Sequence, residues 1–165
     1  MLLAKLEIVL GRASKLAAWL GGVVLLIMLL LFCANIALRM TGGGLHGTVE
    51  ISGYLCAMAV GLCLPAAQLG GSHIELGVLT AGFSERSLSI QKALVSVLSM
   101  LVLLFVFKEL LDLANYTSLS GETIEGFPFS GVAMILGMSF GVLLHALLFL
   151  SCVLRVFMKP EKVQQ

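Results

Sequence analysis

Four long runs of apolar residues, separated by short polar segments, dominate the sequence. The runs cover residues 16–38, 49–69, 88–110 and 130–154. At about 1.5 Å of rise per residue, each run is long enough to cross the ~30 Å hydrocarbon core of a bilayer as an α-helix. Spanning strands instead alternate polar and apolar side chains over segments of about ten residues. The pattern therefore predicts an all-α membrane protein with four transmembrane helices.

The third run is the weakest of the four, because Lys92 and Lys108 lie near its two ends. Long lysine side chains reach the bilayer surface from such positions while their methylene groups stay in the apolar layer. We therefore keep residues 88–110 as a transmembrane helix.

Two shorter segments are typical of helices that lie in the bilayer surface. In residues 1–15, apolar side chains share one helical face and Lys5, Arg12 and Lys15 share another. This arrangement predicts a basic amphipathic helix on the cytoplasmic surface, and the alternative is a frayed terminus. Residues 72–85 form a second, weaker candidate, because Gly77 and Gly82 interrupt the apolar stripe.

The composition supports a single membrane domain. Of the 165 residues, 59% are hydrophobic and only 12% are charged, and a chain of this length cannot bury so much apolar surface in water. The net charge of +1, without a basic stripe, argues against nucleic acid as a partner. The cysteines all lie in the apolar runs, where small hydrophobic packing is their usual role: Cys33, Cys56, Cys63 and Cys152.

The basic residues predict the orientation of the helices. Eight of the ten lie before residue 16, between residues 86 and 92, or in the tail 155–165. Because cytoplasmic segments carry the excess of Lys and Arg, both termini are expected in the cytoplasm. The loop 111–129 has no Lys or Arg and is expected to be periplasmic.

Small residues in two runs predict close helix packing. Gly53, Ala57 and Gly61 recur at every fourth position of the second run, and Gly137 and Gly141 form a G-x-x-x-G pair in the fourth. Such spacing lets another helix approach the backbone. We take all five as candidates for subunit packing, with a generic helix contact as the alternative for the G-x-x-x-G pair.

Charged residues at the boundary of the first two runs form a second set of candidates. Arg39 ends the first run, and Glu50 opens the second. A carboxylate at a membrane boundary is costly unless it is paired or hydrated. Glu50 is therefore expected to contact Arg39 or a partner subunit, and the alternative is a solvated side chain.

The sequence argues against an enzyme and against a complete transporter. It contains no H-E-x-x-H, C-x-x-C, G-x-S-x-G or phosphate-loop motif, and no second histidine matches His145 at its depth. No cofactor or metal site is expected in this chain. The apolar runs carry few ionisable groups at mid-depth, so an ion pathway is not visible. The sequence therefore favours a small helical subunit that packs on a larger protein.

The order of these features resembles a known family. Arg39 ends the first span, Glu50 opens the second, and residues 70–75 read Gly-Gly-Ser-His-Ile-Glu. This is similar to the small, DctQ-like membrane subunit of tripartite ATP-independent periplasmic (TRAP) transporters, over essentially the whole chain. Leu76 and Gly77 depart from the family's usual Val and Asp.

The resemblance implies a bacterial inner-membrane complex. A large multi-span permease subunit would carry the substrate and sodium sites, and a soluble periplasmic protein would deliver an organic anion. This chain would act as a membrane scaffold, and Glu122 and Glu125 on the acidic loop are candidates for docking that soluble protein, with a merely solvated loop as the alternative. The substrate stays open among dicarboxylates, sugar acids, keto acids and sulfonates. The alternatives are an accessory or anchor subunit of another inner-membrane complex, or a small self-assembling channel.

Overall fold

The structure is a computed structural model that describes residues 2–69 and 85–158. These residues form four helices and no strand: α1 (Leu2–Met40), α2 (Thr48–Leu69), α3 (Glu85–Ser120) and α4 (Val132–Met158). Each helix contains a stretch that is long and apolar enough to cross a membrane. The predicted all-α fold with four transmembrane helices is confirmed.

The helices pack in the order α1, α2, α4, α3. The central pair is α2 and α4, α1 packs on α2 and also touches α4, and α3 packs on α4. Residues 41–47 and 121–131 connect helices at one end of the bundle, which we call the loop end. The first residues of α1 and the last of α4 lie at the other end, which we call the terminal end.

Two apolar clusters hold the helices together. The cluster nearer the terminal end joins α1, α2 and α4 through Leu10, Ala17, Leu62, Leu144 and Leu148. The cluster nearer the loop end joins α1, α2 and the second loop through Val24, Ile51, Leu55, Ala59 and Ile124. The second cluster includes the loop residue Ile124, so the second loop is anchored in the apolar core.

The first helix differs from the prediction because it continues through residue 15 without a break. Residues 2–15 belong to α1 and do not form a separate surface helix, and the Leu10 and Ser14 side chains are buried in the bundle. The Ser14 hydroxyl donates to the Leu10 carbonyl at 2.8 Å. Lys and Arg favour helix, so the change from polar to apolar residues at 15 affects depth in the membrane but does not end the helix.

The third helix is also longer than predicted. It runs to Ser120, so most of the loop expected at residues 111–129 is helical, and the actual loop covers residues 121–131. Lys108 pairs with Asp112 one turn later at 3.8 Å, which suits a helix in this region. Gly121 ends the helix in the left-handed conformation, with φ of 67°.

Two predictions concern residues outside the described ranges. The cytoplasmic segment predicted at 72–85 lies outside them except for its last residue, which begins α3. Of the predicted tail 155–165, only residues 155–158 are described, and they continue α4.

Candidate functional site

The closest approach between helices joins α2 to α4 at two glycines that the sequence identified. A Cβ atom on Gly141 would overlap the carbonyl group of Gly61. A Cβ atom on Gly61 would lie 2.9 Å from Met138 Cγ and 3.0 Å from its Cα. The two backbones therefore touch here, and only glycine fits on both sides.

Pro65 explains why the Gly61 carbonyl is available for this contact. A proline has no N–H, so the hydrogen bond that would run from position 65 to the Gly61 carbonyl is missing. That carbonyl faces Gly141. The Gly141 Cα lies against this carbonyl, the kind of close helix crossing at which weak Cα–H···O contacts recur. Three residues on two helices thus form one packing unit.

Of the other small residues selected from the sequence, one packs between helices and two lie partly or fully at the surface of the bundle. Gly137 lies against the Met58 side chain, and a Cβ there would come within 2.7 Å of Met58 Cε. Gly53 is exposed with nothing within 4 Å of a Cβ, and Ala57 is half-buried. The α2–α4 contact accounts for Gly61, Gly137 and Gly141, whereas the backbone at Gly53 is open.

A second close contact, between α1 and α2, was missed by the sequence analysis. A Cβ on Gly21 would lie 2.7 Å from Cys63 Sγ and 3.1 Å from the Ala59 carbonyl oxygen. Gly21 is followed by Gly22, which has open space around it. Gly21 and Gly22 are adjacent, and the sequence alone does not distinguish them. Only the structure shows that Gly21 packs against α2 and that Gly22 does not.

The two loops at the loop end dock on each other through glycines. A Cβ on Gly47 would overlap the Glu125 carbonyl oxygen, and a Cβ on Gly126 would lie 2.6 Å from the His46 carbonyl oxygen. Both glycines have positive φ, at 72° and 76°. Each loop therefore places a glycine in the left-handed region against the backbone of the other loop.

Side-chain hydrogen bonds and burial fix this arrangement, which we call the loop-end cap (residues 41–50 and 121–131). The Glu125 backbone N–H donates to Glu50 Oε2 at 2.8 Å, and the Leu45 N–H donates to Asn35 Oδ1 at 2.9 Å. Ile124 is 2% exposed and lies in the apolar cluster between α1 and α2. The cap is thus tied to α1, to α2 and to the core.

The structure places the predicted boundary residues in one cleft. The cleft has a volume of about 810 Å³. Arg39, Glu50 and Glu125 line it together with Asn35 and the glycine-rich segment 42–47. Arg39 and Glu50 form no ion pair with each other, and the Glu50 carboxylate binds the Glu125 amide instead. The sequence analysis selected Glu50 as a candidate, but it did not predict that its carboxylate accepts a hydrogen bond from the Glu125 backbone.

We expect Glu50→Ala to weaken the loop-end cap, because the Glu125 N–H would lose its acceptor. Glu50→Gln is the matched control, since its amide oxygen still accepts that hydrogen bond. Because this hydrogen bond is exposed, the expected loss of unfolding free energy for Ala is about 0.5–1.5 kcal/mol, and it is clearly less for Gln. Melting of the purified protein in detergent measures both. Equal melting of Glu50→Ala and wild type would assign Glu50 to the solvated alternative.

The described residues include no group of three His, Cys, Asp or Glu side chains placed to hold a metal ion. His145 is buried in α4 and packs edge-on against Phe149, with ring centroids 5.1 Å apart. Ser52, Ser139 and Ser151, also buried, each donate a hydrogen bond to a carbonyl of their own helix. These buried polar side chains therefore make contacts within their own helices, which is a structural role.

Four packed apolar helices with glycine contacts and a docked pair of loops define a small helical membrane protein. The family model described as tripartite ATP-independent periplasmic transporters, DctQ component, matches residues 8–159. This covers nearly all of the chain, so the chain belongs to the DctQ family and is a small subunit of a TRAP transporter. The resemblance found in the sequence is confirmed. No curated protein and no solved structure matches significantly.

Proposed function

We propose that this chain is the membrane scaffold of a sodium-driven, binding-protein-dependent transporter that imports an organic anion. It braces the large permease subunit, which carries the substrate and sodium sites, and helps to dock the periplasmic binding protein. The complex lies in the bacterial inner membrane, with both termini of this chain in the cytoplasm and the loop end in the periplasm. The family match supports this role, since the family is a transporter component and not an enzyme family.

The observation that carries the scaffold role is the uneven burial of the helices. In the apolar window of α3 only 6% of residues are buried within the chain, against 44% in α4. Its exposed face is continuous over about three turns through Leu94, Leu98, Leu101 and Phe105. A helix with so little internal packing offers lateral surface to lipid and to a membrane partner, which is what a bracing subunit requires.

The interior supports the view that transport chemistry belongs to the partner. Substrate and ion sites in such transporters are built from interrupted helices and clustered polar groups at mid-depth. The four described helices are continuous, and four of the five buried serines in the described residues donate to a carbonyl of their own helix: Ser14, Ser52, Ser139 and Ser151. The fifth, Ser96, contacts Cys152 on α4. This chain is therefore expected to provide no direct ligand to sodium or to the transported anion, and no cofactor.

The docking role is supported by the position of two acidic side chains. Glu122 and Glu125 are exposed on the loop-end cap, and the Glu125 backbone amide holds the loop in place through Glu50. Carboxylates on a fixed loop steer the approach of basic groups on a soluble partner. Their main effect is expected on the rate of encounter and on its salt dependence.

Reconstitution tests the proposed function. The purified two-subunit complex is placed in liposomes with a sodium gradient and the binding protein, and uptake of the anion is measured. We expect no uptake without this chain. Charge reversal of Glu122 and Glu125 to lysine is expected to raise the half-maximal binding-protein concentration several-fold, by weakening electrostatic steering, and to leave the sodium dependence unchanged.

Two results would contradict the scaffold role. Uptake at full rate by the large subunit alone would make this chain dispensable. A change in sodium affinity or substrate selectivity after a single polar substitution here, His145→Ala included, would mean that the chain helps to form the transport site.

A further inference from the structure

The cleft at the loop end contains charges of opposite sign that do not pair, and we call it the boundary cleft. Arg39 lines it together with the carboxylates of Glu50 and Glu125. Among residues 2–69 and 85–158, no carboxylate oxygen lies within 4.0 Å of the Arg39 guanidinium. The cleft volume of about 810 Å³ is in the range of small-molecule sites. A ligand that carries both a negative and a positive group matches this lining.

Local contacts hold these charges apart. The Glu50 carboxylate accepts a hydrogen bond from the Glu125 backbone N–H at 2.8 Å, which fixes its position at the start of α2. The Arg39 side chain packs against the first loop, where a Cβ on Gly44 would lie 3.4 Å from Arg39 Cγ. That loop is held in turn by the Asn35 amide oxygen, which accepts from the Leu45 N–H. A carboxylate accepts several hydrogen bonds, so Glu50 can bind a second donor without releasing the cap.

The boundary cleft lies at the edge of the apolar layer. Arg39 directly follows the uncharged stretch 16–38 of α1, and Glu50 is the first charged residue of α2. Charged side chains at the ends of spanning helices lie at the level of the lipid headgroups. Apolar side chains line the same cleft, and Val49 among them is 85% exposed. A ligand in this cleft therefore meets charged groups and lipid-facing apolar surface together.

A shallow strip on α2 continues from the cleft into the apolar layer. Gly53, Ala57 and Val60 follow Glu50 on one side of the helix. Space around a Cβ on Gly53 is open, Ala57 is half-buried, and Val60 is 52% exposed. At about 1.5 Å per residue, the strip extends about 15 Å beyond Glu50, which is half of the ~30 Å hydrocarbon core. An acyl chain can lie along it through the depth of one leaflet.

We propose that the boundary cleft binds the headgroup of a phospholipid that carries both a phosphate and a primary ammonium group, namely phosphatidylethanolamine. The phosphate lies against the Arg39 guanidinium, beside the start of α2, where the helix dipole also favours an anion. The ammonium group donates to the carboxylates of Glu50 and Glu125. A purely anionic headgroup fits less well, because two carboxylates and one arginine line the cleft. The acyl chain follows the strip on α2.

A competition between two lipids tests this site. The purified full-length chain in detergent receives equal amounts of phosphatidylethanolamine and phosphatidylcholine with identical acyl chains, and native mass spectrometry measures how much of each is retained. Both lipids carry the same phosphate, but the trimethylated nitrogen of phosphatidylcholine has no N–H to donate. We expect about tenfold more phosphatidylethanolamine to be retained, because only its ammonium group forms charge-assisted hydrogen bonds.

Substitutions separate the two halves of the headgroup. Arg39→Gln is expected to lower retention of both lipids about equally, roughly tenfold, since both need the phosphate contact. Glu50→Gln combined with Glu125→Gln is expected to remove the preference and leave retention of phosphatidylcholine unchanged. The amide oxygen of Glu50→Gln still accepts from the Glu125 N–H, so the cap stays closed. Lys108→Gln and Glu122→Gln are the matched controls, because these exposed charges do not line the cleft, and both are expected to behave as wild type.

Three results would overturn the proposal. The first is equal retention of the two lipids by the wild-type chain, or a loss in either control as large as in the cleft variants. The second is binding of glycerophosphoethanolamine, the same headgroup without acyl chains, as tight as that of the lipid, which would assign the cleft to a soluble ligand. The third is loss of the preference in the purified two-subunit complex, which would mean that the large subunit covers the cleft. No uptake is measured, so these outcomes are independent of the proposed function.

Discussion

Gly141→Ala should destabilise the protein by about 1–3 kcal/mol, the range for overpacked cores, whereas Gly53→Ala should be neutral or slightly stabilising. The added methyl at 141 would overlap the Gly61 carbonyl, which is backbone and cannot rotate away. At Gly53 there is open space around the same methyl. Alanine favours helix over glycine by up to ~1 kcal/mol, so the control has a small gain and no clash.

Thermal melting of the purified chain in detergent measures this difference, and the yield of the two-subunit complex gives an independent reading. Both substitutions are glycine to alanine within membrane-spanning helices, so their difference reports the α2–α4 contact and not helix propensity. Equal melting temperatures would show that α2 and α4 do not approach each other at Gly61. A fall in complex yield for Gly53→Ala alone would show that its open face meets the partner subunit.

The four helices were predictable because each contains an apolar stretch that a soluble chain of this size cannot bury. Their ends were not. Lys15 marked a change of polarity, and the helix continued because lysine is compatible with helix. The end of α3 had a signal that was not used: Gly121 follows Ser120 and adopts the positive φ that ends many helices. Local backbone chemistry, not hydrophobicity, sets where these helices stop.

The packing glycines were predictable in part, and the reason is geometric. Two glycines eight positions apart share one four-residue ridge but are separated by about 80° around the helix, so Gly53 and Gly61 need not meet the same neighbour. Of the two, only Gly61 contacts α4. Pro65 was the stronger signal, because a proline frees the carbonyl four positions earlier and that carbonyl belongs to Gly61. Reading the proline and the glycine together would have selected the right one.

The contacts of the loop-end cap could not be predicted from the sequence. The Glu50 carboxylate binds a backbone amide seventy-five positions later. Gly47 and Gly126 fit against carbonyl groups of the other loop. Such contacts have no periodic pattern, since they depend on how the helices place the loops in space. The run Gly42-Gly43-Gly44 is the most obvious glycine feature of this loop in the sequence, but a Cβ on Gly42 would meet nothing within 4 Å, so Gly42 is not a docking contact.

Gly47→Ala should open the loop-end cap, and Gly42→Ala should not. Both glycines have positive φ, at 72° and 85°, so alanine costs roughly 1–2 kcal/mol of backbone strain at either position. Only at 47 does the added methyl also overlap the Glu125 carbonyl oxygen. That overlap forces the loops apart, which lengthens the hydrogen bond from the Glu125 N–H to Glu50 and exposes Ile124 to solvent.

A cysteine at position 124 reports this opening directly, because the Ile124 side chain is 2% exposed in the closed cap. We expect Ile124→Cys, in a variant without the native cysteines, to react slowly with a maleimide in detergent, and still slowly when Gly42→Ala is added. Adding Gly47→Ala should raise its rate at least tenfold, because the loops no longer cover it. Equal rates in the two double variants would mean that backbone strain alone accounts for both substitutions and that the loops do not dock through Gly47.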